Sequence, residues 1–109
     1  MKTELISSVR RFHERFVLTN SNQAETLWLC MLTEEIGELT RSVLRDDPAE
    51  KIEGECGDII YVLQGFCELF GYDLWGGIER TIQKNDLKTP RASSEARSGK
   101  IVNNSFQVE

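Results

Sequence analysis

Two acidic pairs placed symmetrically about one turn signal constrain this chain more than any other feature. Glu35 and Glu38 form an E-x-x-E with a further acid, Glu34, directly before them, and Glu55 and Asp58 form an E-x-x-D. Residues three apart on a helix share a face, so each pair projects in one direction. The pairs 35/58 and 38/55 have a common centre between residues 46 and 47. That centre lies in Arg45-Asp46-Asp47-Pro48. There Asp47 is placed to cap a new helix, Pro48 suits its first position and Glu50 completes a capping box. The spacing predicts an antiparallel helical hairpin with Glu38 level with Glu55 and Glu35 level with Asp58. At ~1.5 Å of rise per residue the acids meet ~13–17 Å from the turn.

Carboxylates gathered at one height need neutralising. Two unit charges ~4 Å apart repel by ~4 kcal/mol at an effective dielectric of about 20. Protons or cations must therefore enter such a cluster. Its donors are all oxygen, which suits hard cations, Mg²⁺ or Mn²⁺ ahead of Ca²⁺. Glu35, Glu38, Glu55 and Asp58 are the candidate metal ligands. The competing reading, two solvated acidic faces, is weakened by the shared register and the apolar residues on either side.

Helical periodicity runs through most of the chain. Leu5, Ile6, Val9, Phe12, Phe16 and Val17 predict a first helix over 3–18. Asn22, with Glu25 three residues on, is a candidate cap for a second helix that runs to the turn. A third spans about 48–69 and ends at Gly71, and Asp73 starts a short fourth carrying Leu74, Trp75, Ile78 and Ile82. The expected fold is all-α, a four-helix hairpin or bundle. Residues 1–88 form one domain, and 89–109 form a polar tail. The third helix is apolar around its circumference and needs cover on every side, which points to completion by self-association as a dimer or tetramer. In that arrangement the tail is expected to reach a neighbouring subunit through Ile101, Val102 and Phe106, the competing reading being a frayed, solvated C-terminus. Gly37 and Gly57 are assigned to close helix approach, and Gly65, level with Trp28, to ligand space.

Composition narrows the partners. With 109 residues there is room for one domain. A net charge of −5 argues against a nucleic-acid backbone but not against a nucleotide carried with metal. No stretch has the length of a membrane span. Three cysteines in apolar helical patterns, without C-x-x-C spacing, read as reduced, buried thiols in a cytoplasmic protein. A single histidine makes a zinc site improbable.

The acidic motif resembles the metal-binding signature of the MazG-type all-α nucleoside triphosphate pyrophosphohydrolases. It reads Glu34-Glu35-Ile36-Gly37-Glu38, then Glu55-Cys56-Gly57-Asp58-Ile59-Ile60-Tyr61. Lys84-Asn85 is similar to the family's Lys-Asn element. Phe12-His13-Glu14-Arg15-Phe16 and Ser98-Gly99-Lys100-Ile101-Val102 resemble segments of its short single-domain members. The chain departs from the pattern at Asp86-Leu87-Lys88.

The resemblance implies Mg²⁺-dependent hydrolysis of (deoxy)nucleoside triphosphates to monophosphate and pyrophosphate, a house-cleaning of the nucleotide pool, with phosphoribosyl-ATP as an alternative substrate. In that chemistry Glu34 or Glu35 accepts the water proton, with a second metal the other role open to Glu34, and Lys84 and Lys88, with Arg91 farther off, neutralise the outer phosphates. Trp28 lies two turns before Glu35 on the same face, where a base stacked on it extends its phosphates toward the acids. His13 and Phe16 are further base contacts, and Asn85 a sugar or base contact. Each has a structural counterpart: core for the aromatics, a helix C-cap for Asn85, a solvated face for the lysines. Two other classes fit less well. A di-iron bundle wants E-x-x-H pairs, and His13 lies far from both acidic pairs. A non-enzymatic helical interaction module leaves the register of the acids unexplained.

Overall fold

The computed structural model describes residues 1–90, and its elements are helices throughout: α1 (Lys2–Arg15), α2 (Glu25–Leu44), α3 (Ala49–Phe70) and α4 (Leu74–Asp86). The expected all-α class with four helices is observed. Arg91, the Ser98–Val102 segment and the tail residues Ile101, Val102 and Phe106 lie outside the described residues. Met1–Tyr72 forms one compact unit, and the described residues from Asp73 onward belong to a second. In the first, α3 packs against both α1 and α2.

Left-handed residues end the first three helices. Past α1, Val17 has φ 54°, its amide donates to the Glu14 carbonyl, and Leu18 donates to that of His13 at 2.8 Å. This double closure terminates a helix. It explains why α1 stops at Arg15 although the apolar pattern continues to Val17. Asp46, φ 56°, closes α2 in the same manner, with Asp47 donating to the Ser42 carbonyl at 3.0 Å. Gly71, φ 81°, closes α3 as expected. Asp73 caps α4, accepting from the Gly76 amide at 3.0 Å.

Two expected caps are not formed. Asn22 does not cap α2; its side chain accepts from the Thr19 amide at 2.9 Å and donates to the Val17 carbonyl at 2.8 Å, tying the loop before the helix. Ala24 takes the cap position. Asp47 is likewise engaged elsewhere, accepting from the fully buried Ser42 hydroxyl at 2.8 Å and from Arg45 at 3.0 Å. Those two contacts lower its pKa from the usual value. Pro48 becomes the cap of α3, its carbonyl accepting from Lys51 and Ile52.

The core of the first unit is small. Among the described residues, Val9, Trp28 and Cys67 are the buried apolar side chains, with His13 and Gln64 beside them in burial. Phe12 meets Tyr61 edge-on at 6.2 Å, and the Tyr61 hydroxyl hydrogen-bonds Ser8 at 2.8 Å, joining α1 to α3. Tyr72 stacks on Phe66 and donates to Glu25 at 2.6 Å, securing the end of α3 to the start of α2. Cys30 and Cys56 are exposed, so the expectation of three buried thiols holds only for Cys67. Both fall on parts of α2 and α3 that the three-helix packing leaves uncovered.

Gly65 is the position of close approach. A β-carbon there would lie 2.9 Å from Trp28 Cζ3 and 3.5 Å from His13 Nε2. At Gly57 a β-carbon meets nothing within 4 Å, and at Gly37 only the Arg41 guanidinium at 3.8 Å. The close approach expected at Gly37 and Gly57 is found at Gly65 instead, beneath the Trp28 indole, while Gly37 and Gly57 are not packing contacts within the described residues.

Candidate active site

The hairpin brings three of the predicted ligands together. One oxygen from each of Glu35, Glu55 and Asp58 lies within 4.8 Å of the other two. Glu35 projects from α2; Glu55 and Asp58 share one face of α3. Glu55 is buried, Glu35 half-buried and Asp58 exposed. Burial raises the Glu35 pKa above its ordinary value, and the charges of Asp58, Glu55, Glu38 and Glu34 push it further in the same direction. Glu38 is outside the three-acid cluster; its exposed carboxylate pairs with Arg41 at 3.0 Å. Glu34 is exposed beside it.

A residue that sequence reasoning passed over completes the cluster. Lys51 Nζ lies 2.7 Å from Glu55 Oε2, and this contact raises the lysine's pKa. Its spacing of four from Glu55 was visible in the sequence, but the burial that makes the contact matter was not.

The donor set fits a hard divalent cation. Mg²⁺ binds oxygen at ~2.0–2.1 Å, which places oxygens on opposite sides of the ion ~4 Å apart. Carboxylate oxygens within 4.8 Å of one another reach that spacing by small side-chain adjustments. Burial first and the neighbouring carboxylate charges second raise the Glu35 pKa, and a cation relieves the second of these.

An apolar cavity of about 120 Å³ lies in the same unit, lined by Val9, Phe12, His13, Trp28, Met31, Tyr61, Val62 and Gly65. Met31 is one helical turn before Glu35, and Tyr61 and Val62 are one turn after Asp58. His13 stands edge-on to Trp28 with ring centres 5.7 Å apart, and the indole Nε1 donates to Gln23 at 3.3 Å. Burial lowers the His13 pKa, against an opposing pull from Glu68. The structure thus brings His13 and Trp28 to one cavity. Phe16 does not line it; 59% exposed, it packs on Phe12 at 4.6 Å with Arg15 over its ring.

The remaining candidates belong to the second unit. Lys84 and Asn85 sit exposed in the last turn of α4, and Lys88 follows, half-buried. Asn85 Nδ2 donates to the Thr81 carbonyl at 2.8 Å, and Leu87 rather than Asn85 takes the C-cap position. Among the described residues no helix is long and apolar enough to cross a membrane.

A family model for phosphoribosyl-ATP pyrophosphohydrolases matches residues 5–86, which covers α2, α3, α4 and nearly all of α1. Comparison with curated proteins and with solved structures gives no significant match. The match agrees with the motif at the level of the MazG-like all-α superfamily, and selects within it a different branch from MazG itself. Its acids, its helical hairpin and this match together make the chain a pyrophosphohydrolase that belongs to the phosphoribosyl-ATP pyrophosphohydrolase family.

Proposed function

We propose that this protein cleaves nucleoside triphosphates between the α and β phosphates in a Mg²⁺-dependent reaction, releasing monophosphate and pyrophosphate. The observation that carries this reading is the Glu35–Glu55–Asp58 cluster, one helical turn from an aromatic cavity. Those three acids, with Glu38 turned from Arg41, hold Mg²⁺, and Mn²⁺ substitutes. The bound metal supplies charge neutralisation for the triphosphate and a more acidic water. Glu34 stays outside the cluster and takes the water's proton, with Glu35 the alternative acceptor. The base enters the cavity against Trp28 and His13, while Phe16 supports Phe12 from behind. The family resemblance assigns Lys84 and Lys88 to the outer phosphates and Asn85 to sugar or base.

A second reading makes phosphoribosyl-ATP the substrate. The family match favours it, and the bond broken is the same. A panel of nucleoside triphosphates, deoxynucleoside triphosphates and phosphoribosyl-ATP with Mg²⁺, assayed for pyrophosphate as distinct from phosphate, tests both.

Self-association belongs to this proposal. Leu29, Ile36 and Val43, spaced seven apart on α2, are 47%, 49% and 51% exposed, and Ile60 on α3 is 48% exposed. Seven-residue spacing places the first three on one helix face. Their exposure beside so small a core fits a homodimer, or a tetramer made from dimers.

A further inference from the structure

We propose that Lys51 is a positioning residue for metal binding, holding the Glu55 carboxylate in the orientation that presents a formed three-acid site. This rests on the functional reading above, since it concerns the same cluster. Glu55 is the most buried of the three acids, its side chain 11% exposed, so water contributes little to orienting it. The Lys51 ammonium meets it at 2.7 Å.

The pair adds little as a stabilising contact. Lys51 is half exposed and precedes Glu55 by four residues, the less favourable order for helix support. What it supplies is geometry. The contrast with Arg41 is informative: that guanidinium draws Glu38 outward into an exposed pair, whereas Lys51 grips an acid that belongs to the cluster. Groups that hydrogen-bond a metal ligand from outside typically govern affinity by ~10–100-fold.

Charge alone predicts the opposite sign. An ammonium beside a cation site repels the incoming ion, so removing it would tighten binding if Lys51 acted only through its charge. The measurement is Mn²⁺ affinity of the substrate-free full chain, read from the paramagnetic resonance of free Mn²⁺, for wild type, Lys51→Met and Lys51→Arg. Lys51→Met is expected to bind roughly tenfold or more weakly. Lys51→Arg, which keeps a charged donor, is expected to recover most of that loss. Thermal midpoints close to wild type for both variants exclude unfolding as the cause, as the half-exposed position leads us to expect. Unchanged or tighter Mn²⁺ binding by Lys51→Met, or a loss that Lys51→Arg shares in full, overturns the proposal. Wild type that neither binds Mn²⁺ nor releases pyrophosphate overturns the functional reading, and this proposal with it. Wild type that does both while Lys51→Met binds normally overturns this proposal alone.

Discussion

Gly65 on α3 carries no side chain where the Trp28 indole of α2 presses closest, and a β-carbon there would stand 2.9 Å from the ring. Trp28 is only 4% exposed, and His13 stands edge-on to it, its Nε2 3.5 Å from the same β-carbon position. Gly65→Ala gains ~1 kcal/mol of helix propensity and incurs ~1–3 kcal/mol of overpacking. A net destabilisation of up to about 2 kcal/mol is expected in urea unfolding followed by tryptophan fluorescence. A variant more stable than wild type would show that the close approach is not a constraint.

The carboxylate cluster sets a second expectation. Glu35 has a folded-state pKa raised above its ordinary value of 4.5. The folded protein therefore binds that proton more tightly than the unfolded chain. The associated stability is complete below pH 4.5 and is lost as pH rises through the folded pKa. In the presence of chelator, Glu35→Gln should melt higher than wild type at neutral pH, show a weaker decline with pH, and have no turnover. Added Mg²⁺ should raise the wild-type midpoint and not that of the variant. A variant less stable than wild type in chelator would assign Glu35 a structural role instead.

These acids show how far sequence reached. Periodicity of three between acids, and symmetry about Asp46 and Asp47, depend only on helical geometry, so the hairpin and the meeting of Glu35 with Glu55 and Asp58 were legible. Competition for side chains was not. Asp47 and Asn22 match cap patterns, yet each finds better partners in its own loop, and no linear pattern ranks those choices. Val17 continues an apolar stripe but adopts φ 54°, a conformation a β-branched residue rarely takes, so α1 ends two residues before it. Glu38 shares the motif's face, but Arg41 three residues on competes for it. Lys51 was missed because its importance comes from the burial of Glu55, a tertiary property.

His13 is the chain's single histidine, which makes it a clean probe of the cavity. Burial lowers its pKa from 6.5, so the folded state binds the proton less tightly than the unfolded chain. Its contribution to stability is present above pH 6.5 and is lost as pH falls through the folded value. Histidine carbon-bound proton shifts followed by NMR should give a midpoint below 6.5, moved further by a nucleotide bound in the cavity. A midpoint at or above 6.5 would show that burial does not outweigh the pull of Glu68 on the imidazole.

The exposed row of Leu29, Ile36 and Val43, spaced seven apart on α2, predicts association. Light scattering at micromolar concentration should show a dimer or tetramer, and Ile36→Glu, which puts a charge at the centre of that row, should shift it toward monomer. A wild-type monomer would contradict the interface, and an unaltered oligomer in the variant would move it to another face.

The central claim is that the Glu35–Glu55–Asp58 cluster holds the metal that drives α–β phosphate cleavage. Its most direct test is pyrophosphate release from the triphosphate panel, phosphoribosyl-ATP included, by wild type and Asp58→Asn, with Mg²⁺ and with chelator. The account predicts stoichiometric monophosphate and pyrophosphate from at least one substrate with wild type and Mg²⁺, and a loss of at least about a hundredfold in the variant or in chelator. Metal-independent release, release of orthophosphate instead, or full activity in Asp58→Asn would contradict it.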